Sequence, residues 1–414
     1  MELVLGTYKV SKVVLEDVIN STPDNVITNI LDRLPIQDAL RTAILSRKWR
    51  FKWTMLTRLV FDWMFYEYLV GLGMNNWYDV RNIISRLFLH LKGPITKFVL
   101  YIPSGMVFNV EDINDWIMFL SRNGVKEFTL NNMHVIPLKL STHIFSCVEL
   151  ESLTLDNSCL RSPPTFCGLP NLLRLDLGTV VFENTSLGEI ISRSPSLEIL
   201  RFGRHDRVGK IKLVDIVKFE NLKRLLFPLC SLDQTAITSC LIVDLGSCFP
   251  NLQVLCLDFQ NFQFLGNLVG KKWISTSFSC LENLTLYRID FSCKINLMFA
   301  FELIRFSPKL QGLVITAKHN DAVPHSANFS AELNSIQLRL PQLRNVVLRS
   351  FQGSENEILM IKIILAGSPS LKKINIFPES SQVLSGDNGR LMVATKLLKF
   401  FRASTTAEVE IYWS

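Results

Sequence analysis

The stretch "PNLLRLDLGTVVFENTSLGEIISRSPSLEILRF", residues 170–202, holds the pattern that organises this chain. Leu172, Leu175 and Leu177 stand at i, i+3 and i+5, and Leu197, Leu200 and Phe202 repeat the set 25 residues later. The last two members of each set are two residues apart, so they share one face of an extended strand. Between the sets lies "LGEIISRS", residues 187–194, with apolar residues at helical spacing. Each set is introduced by Pro-x-Leu, at Pro170 and Pro195.

The same pattern runs outward in both directions. Upstream it reads "ITKFVL" from Ile95, "VKEFTL" from Val125 and "LESLTL" from Leu150. Downstream it reads "LKRLLF" from Leu222, "LQVLCL" from Leu252, "LENLTL" from Leu281, "LQGLVI" from Leu310, "LRNVVL" from Leu343 and "LKKINI" from Leu371. Spacings run from 22 to 33 residues, and helical apolar stretches such as "LMFAFELIRF" and "EILMIKIILAG" fall between units. A strand and a helix every ~20–30 residues is the leucine-rich-repeat signature. One unit cannot bury its own apolar face, but stacked units share a continuous core. The expected fold is therefore α/β, a right-handed leucine-rich-repeat solenoid with its strands lining a concave surface. Uneven spacing, and the scarcity of asparagine after the strands, predict an irregular arc.

Length and composition agree with a chain that grows by repetition. A single compact core stops growing near ~250–300 residues, and this chain has 414. Hydrophobic residues make up 48% and charged residues 20%, which excludes wholesale disorder. No apolar run reaches the ~18 residues of a membrane span, and "MELVLGTYKVSKVVLED" lacks the layout of a signal peptide. Nine scattered cysteines without a C-x-x-C pair point to a reducing, intracellular compartment and no zinc module. The net charge of +7 permits acidic partners without arguing for nucleic acid.

Residues 21–56 read differently. "STPDNVITNILDRL" offers a hydroxyl cap at Ser21 or Thr22, Pro23 at the first helical position and Asp24 in the first turn. Val26, Ile27, Ile30, Leu31 and Leu34 form one apolar stripe. Pro35 stops that helix and opens a second, with Asp38 in its first turn. A third is predicted from about Ser46, with Leu45, Trp49, Trp53 and Leu56 on one face. Arg47, Lys48, Arg50 and Lys52 fall mostly off that face, as a solvated charged surface. Three short helices hold little core alone, so their leftover apolar surface needs a partner.

The segment "TPDNVITNILDRLPIQDALRTAILSRKWRFKW", residues 22–53, closely resembles the F-box of plant F-box proteins. "QGSENEILMIKIILAGSPSLKKINI" and "LLKFFRASTTAEVEIYW" resemble the FBD segment that accompanies it. With the repeats between them, the resemblance is to the plant F-box/FBD/LRR-repeat family. The organisation it implies is an N-terminal extension over 1–15, a three-helix F-box over 16–60, repeats over 61–340 and an FBD-like segment over 341–414. It further implies a non-catalytic substrate receptor of an SCF-type ubiquitin ligase, in the nucleus or cytoplasm, with no cofactor. The F-box would dock on the Skp adaptor and through it a cullin, and the repeats would hold an unknown target protein. Adaptor contacts carried over by position are Pro23, Ile27, Ile30, Leu31, Leu34 and Pro35, with Leu40 and Trp49 in support. One departure is Thr22 where the family pattern has Leu, a loss of ~1–2 kcal/mol of apolar contact if buried. The alternative is a repeat scaffold that recruits no ligase.

Side chains between the strand anchors should face away from the core. Among them are Arg174, Asp176, Arg201 and Arg224, and further along Asn283, Thr285 and Tyr287. Three arginines on neighbouring strands suit an acidic peptide or small anion. The alternative is a merely soluble face whose charges pair with Asp156 and Asp176. The basic run "RFGRHDRVGKIK", residues 201–212, reads as a solvated loop, because nucleic-acid binding would want more aromatics than its one Phe. No phosphate loop, nucleophile elbow or metal-ligand spacing is present.

Overall fold

A computed structural model describes residues 21–74, 76–106, 108–183, 187–203, 220–228, 245–259, 276–319, 333–379 and 387–413. The stretch expected as an extension, 1–15, and residues 204–212 of the basic run lie outside the described residues.

Among the described residues, thirteen parallel strands form one sheet. The first are β1 (Arg58–Phe61), β2 (Lys97–Ile102), β3 (Glu127–Asn132), β5 (Ser152–Asp156), β7 (Arg174–Leu177) and β9 (Ile199–Phe202). The sheet continues through β10 (Arg224–Pro228), β11 (Val254–Asp258), β12 (Asn283–Asp290), β13 (Gly312–Lys318), β14 (Asn345–Phe351), β15 (Lys373–Pro378) and β16 (Glu408–Ile411). Spatial order equals chain order, as the repeat predicts. The three missing numbers, β4 (Leu138–Lys139), β6 (Ser158–Arg161) and β8 (Val180–Glu183), form a separate parallel ribbon. The sequence reading did not anticipate that ribbon.

The anchors explain the register. The leading anchor of each of the eleven units, from Ile95 to Leu371, is at most 1% exposed. The middle anchors pair in one row from Phe98 through Leu153, Leu175, Leu200, Leu225 and Leu255 to Ile374. Slipping one strand by a residue would turn its anchors to solvent, at about 1.5–3 kcal/mol for each large side chain.

The sheet also starts earlier and ends later than those units. Leu56, Leu59 and Phe61 are buried and carry the same spacing, so β1 begins inside the segment 16–60 expected as the three-helix F-box. At the other end β16 continues the ladder from β15, register for register. Helices return the chain between strands, and side chains hold their starts. Asn76 accepts from the Asp79 N–H at 3.0 Å, Asp62 from the Phe65 N–H at 3.1 Å, and Ser354 and Glu357 form a capping box.

The N-terminal module differs from expectation in four ways. Pro23 is the residue before the helix Asp24–Leu31, not its first, and its carbonyl accepts from the Ile27 N–H at 3.0 Å. The five-residue stripe splits: Ile27 and Leu31 are buried, while Val26, Ile30 and Leu34 are 38–44% exposed. The second helix runs Ile36–Arg41 behind Pro35, as read. The third is a 3₁₀ segment, Trp49–Met55, rather than an α-helix, and Leu45 lies outside it and is exposed. Ser46 sets that start, its hydroxyl accepting from the Trp49 N–H at 3.3 Å. Trp49 is buried at the segment's start, and Leu56, just past its end, is buried as the first anchor of the β1 unit.

Candidate functional site

Two surfaces carry the residues singled out by sequence. The first is the N-terminal module. Val26 and Ile30 are four residues apart and line one outer face of the helix, and Leu34, just past its end, is exposed as well. Pro23 and Pro35 are exposed at its two ends. Ile44 is 87% exposed, and Leu45 and Phe51 are exposed as well. Of the other residues carried over, Ile27, Leu31 and Trp49 point into the chain's own core and Leu40 is half-buried. These four support the face from behind.

Polar contacts fix that face against the sheet. The Asp32 carboxylate, at the end of the first helix, accepts from the Thr57 N–H at 2.9 Å, its hydroxyl at 2.6 Å and the Arg58 N–H at 3.2 Å. Lys92 N–H donates to the Thr54 carbonyl at 2.9 Å. Trp53 meets His90 edge to face at 5.9 Å. The Lys52 ammonium pairs with Asp24, while Arg47, Lys48 and Arg50 are exposed. The module thus sits on the β1 end of the sheet, with an apolar stripe turned away from it.

The second surface is the open face of the sheet. Arg174 and Arg224 are exposed and lie in one register row, with Ile199 between them. Arg201 lies in the next outward row, between Asp176 and Leu226. The three guanidinium groups therefore form a triangle over β7, β9 and β10. Arg201 reaches Asp176 at 3.5 Å, a long contact, and its side chain stays 51% exposed. Burial pushes the Asp176 carboxyl above its ordinary value, and Asp156 adds to that while Arg201 and Arg174 oppose it. Further along, Asn283 is exposed and Thr285 and Tyr287 are half-buried on the same face.

A pocket of about 320 Å³ opens beside Arg201 and Asp176. Leu226, Phe227, Cys256 and Tyr287 form part of its wall, with Asp258 behind. Gly203 closes one side. A Cβ there would lie 2.8 Å from the Gly178 Cα, so only glycine allows the ends of β7 and β9 to come so close. Asp258 is held by a residue that sequence reading missed. Arg288 donates from Nε to Asp258 Oδ1 at 2.8 Å, and its Nη2 pairs with the other oxygen. Arg288 has φ +56° and sits where the register of β12 and β13 shifts between Leu286 and Ile289. A local irregularity of this kind re-aims a side chain, and periodicity alone does not reveal it.

Among the described residues no cluster of three or more His, Cys, Asp or Glu side chains could hold a metal ion. No helix among them is long and apolar enough to cross a membrane.

Comparison with known proteins finds two matching family profiles. The F-box domain profile matches residues 23–61. The profile of the LRR repeats of the FBD-associated F-box protein At5g56370 matches residues 113–243. The Arabidopsis thaliana F-box/FBD/LRR-repeat protein At1g13570 is 28% identical over 424 aligned positions, which cover 95% of this chain and 98% of that protein. The FBD-associated F-box protein At4g10400 of the same plant is 27% identical, covering 74% and 78%. Its F-box protein At4g09920 is 30% identical, covering 52% and 68%.

Proposed function

The chain belongs to the plant F-box/FBD/LRR-repeat family, and from that premise we propose that it is the target-recognition subunit of an SCF-type ubiquitin ligase. The observation that carries the reading is the exposed stripe of Val26, Ile30 and Leu34 beside Pro35, on the segment matched by the F-box profile. Three large exposed apolar side chains, two on a surface helix and one just past its end, invite a partner groove. In this reading the stripe docks on the Skp adaptor, which connects to a cullin.

The thirteen-strand sheet is then the inner wall of a right-handed solenoid, and its open face grips the target. Mechanism is proximity: the chain holds the target near a conjugating enzyme brought by other subunits, and supplies no catalytic group itself. The site of action is the nucleus or cytoplasm. Co-purification from plant extract tests the proposal. Recovery of the Skp adaptor and a cullin with the tagged chain is expected. Recovery of neither would leave a repeat scaffold that binds targets without recruiting a ligase.

A further inference from the structure

Beyond a general target surface, the open face carries a half-open pocket with distinct chemistry. We propose that the pocket beside Arg201 binds a carboxylate carried on an apolar or aromatic body. This rests on reading the open face as the recognition surface, and it names the chemical class recognised there.

Charge comes first. Of the two carboxylates in the wall, Asp258 is engaged by two guanidinium nitrogens of Arg288 and only 8% exposed, so that pair is internally neutral. Asp176 makes only the long contact to Arg201. Asp156, on the neighbouring strand, accepts from the Thr179 N–H at 3.0 Å. Among the described residues the lining carries Arg201, Asp176 and the Arg288-bound Asp258, and Arg174 and Arg224 stand one outward row away on the strands that flank Arg201. A guanidinium offers five donors in a planar fork, and the single long contact to Asp176 leaves Arg201 with donors to spare for a second carboxylate.

Shape comes second. A volume of about 320 Å³ is at the small end for organic ligands. It exceeds what a bare inorganic anion fills. Leu226 and Tyr287 line it from the strands on either side of Cys256. The Cys256 thiol between them is pushed up by burial, so it stays neutral and adds no negative charge against the ligand. The walls thus suit a flat or branched apolar body, with its acid group at Arg201.

The chemistry has two sources, a free organic acid or an acidic side chain beside an apolar one in the target. Calorimetric titration of the purified full chain distinguishes them. The probes are 3-phenylpropanoate, its neutral amide, and an end-blocked eight-residue peptide with one Phe-Glu pair among glycines and serines. At least one acid probe should bind, and the amide should bind about tenfold or more weakly. Binding of the free acid alone assigns a small organic acid; binding of the peptide assigns a target side chain. Arg201→Ala should lose about tenfold or more, with Arg201→Lys between. Leu226→Trp, which fills the space without touching charge, should abolish binding of both probes.

Equal binding of acid and amide, no binding of either acid probe, or unchanged binding by Arg201→Ala or Leu226→Trp would overturn the proposal. If Arg201→Ala alters the thermal melt, Leu226→Trp decides. Adaptor recovery is scored separately on the same preparations. Its absence would count against the ligase reading and leave the pocket result standing.

Discussion

Asp32 and Thr57, 25 residues apart, are joined by two hydrogen bonds, from the Thr57 N–H at 2.9 Å and the Thr57 hydroxyl at 2.6 Å to the Asp32 carboxylate. Thr57 in turn accepts at its carbonyl from the Thr96 N–H at 2.8 Å. One side chain thus ties the first helix to the edge of the sheet, and the sheet's first two strands to each other. Asp32→Ala should cost about 1.5–3 kcal/mol, the usual range for bonds to a charged group. A urea melt should show it as a lower midpoint. An unchanged midpoint would mean the module is held by packing alone.

The split of the apolar stripe predicts opposite behaviour for a residue on the first helix and one just past its end. Ile27→Ala opens a cavity in the core and should destabilise by about 2–5 kcal/mol. Leu34→Asp, at a position 38% exposed, should change stability by no more than about 0.5 kcal/mol while weakening adaptor recovery in a pull-down. Full adaptor recovery with a wild-type melt would remove Leu34 from the docking face.

The repeat was legible because its anchors face one way and nothing competes with them. From Ile95 to Leu371 the spacing named the buried residues directly. The unit Leu56, Leu59, Phe61 carries the same spacing, but it follows a helical run closely and reads there as the end of a helix. The stripe of Val26, Ile27, Ile30, Leu31 and Leu34 is legible as a stripe, but helical periodicity does not say which half of it meets the core. On the open face, the alternation showed that Arg174, Arg201 and Arg224 point outward. Their triangular placement depends on inter-strand register, and the Arg288–Asp258 pair on a backbone irregularity. Neither is written in local spacing.

Cysteine chemistry offers a check on the non-catalytic reading. Burial pushes the Cys147 thiol up to about 12, so it stays protonated and slow to react, whereas Cys167 is exposed. Under brief alkylation at neutral pH, peptide mass mapping should find Cys167 modified well before Cys147. The reverse order would point to an activated thiolate at Cys147.

Glu357 predicts a pH effect with a definite sign. Burial pushes its carboxyl above the ordinary glutamate value, against the Ser354 and Gln352 N–H groups and His319 at 3.7 Å, which favour the charge. The folded chain therefore keeps this proton where the unfolded chain has lost it. Its contribution is complete below the unfolded value of about 4.3 and declines as pH rises through the raised folded value. Glu357→Gln cannot titrate. The urea midpoint of wild type, less that of the variant, should fall as pH rises across that window. A difference that stays flat or grows would contradict the burial argument.

The central claim is that the N-terminal face docks on the Skp adaptor. Calorimetric titration of the purified full chain with purified adaptor tests it most directly, comparing wild type with a Val26→Ser, Ile30→Ser, Leu34→Ser variant. The account predicts saturable one-to-one binding by wild type. It predicts at least about a hundredfold loss in the triple variant, since each deleted contact is worth roughly 1–2 kcal/mol, with the thermal melt unchanged. No binding by wild type, or equal binding by the variant, would contradict it.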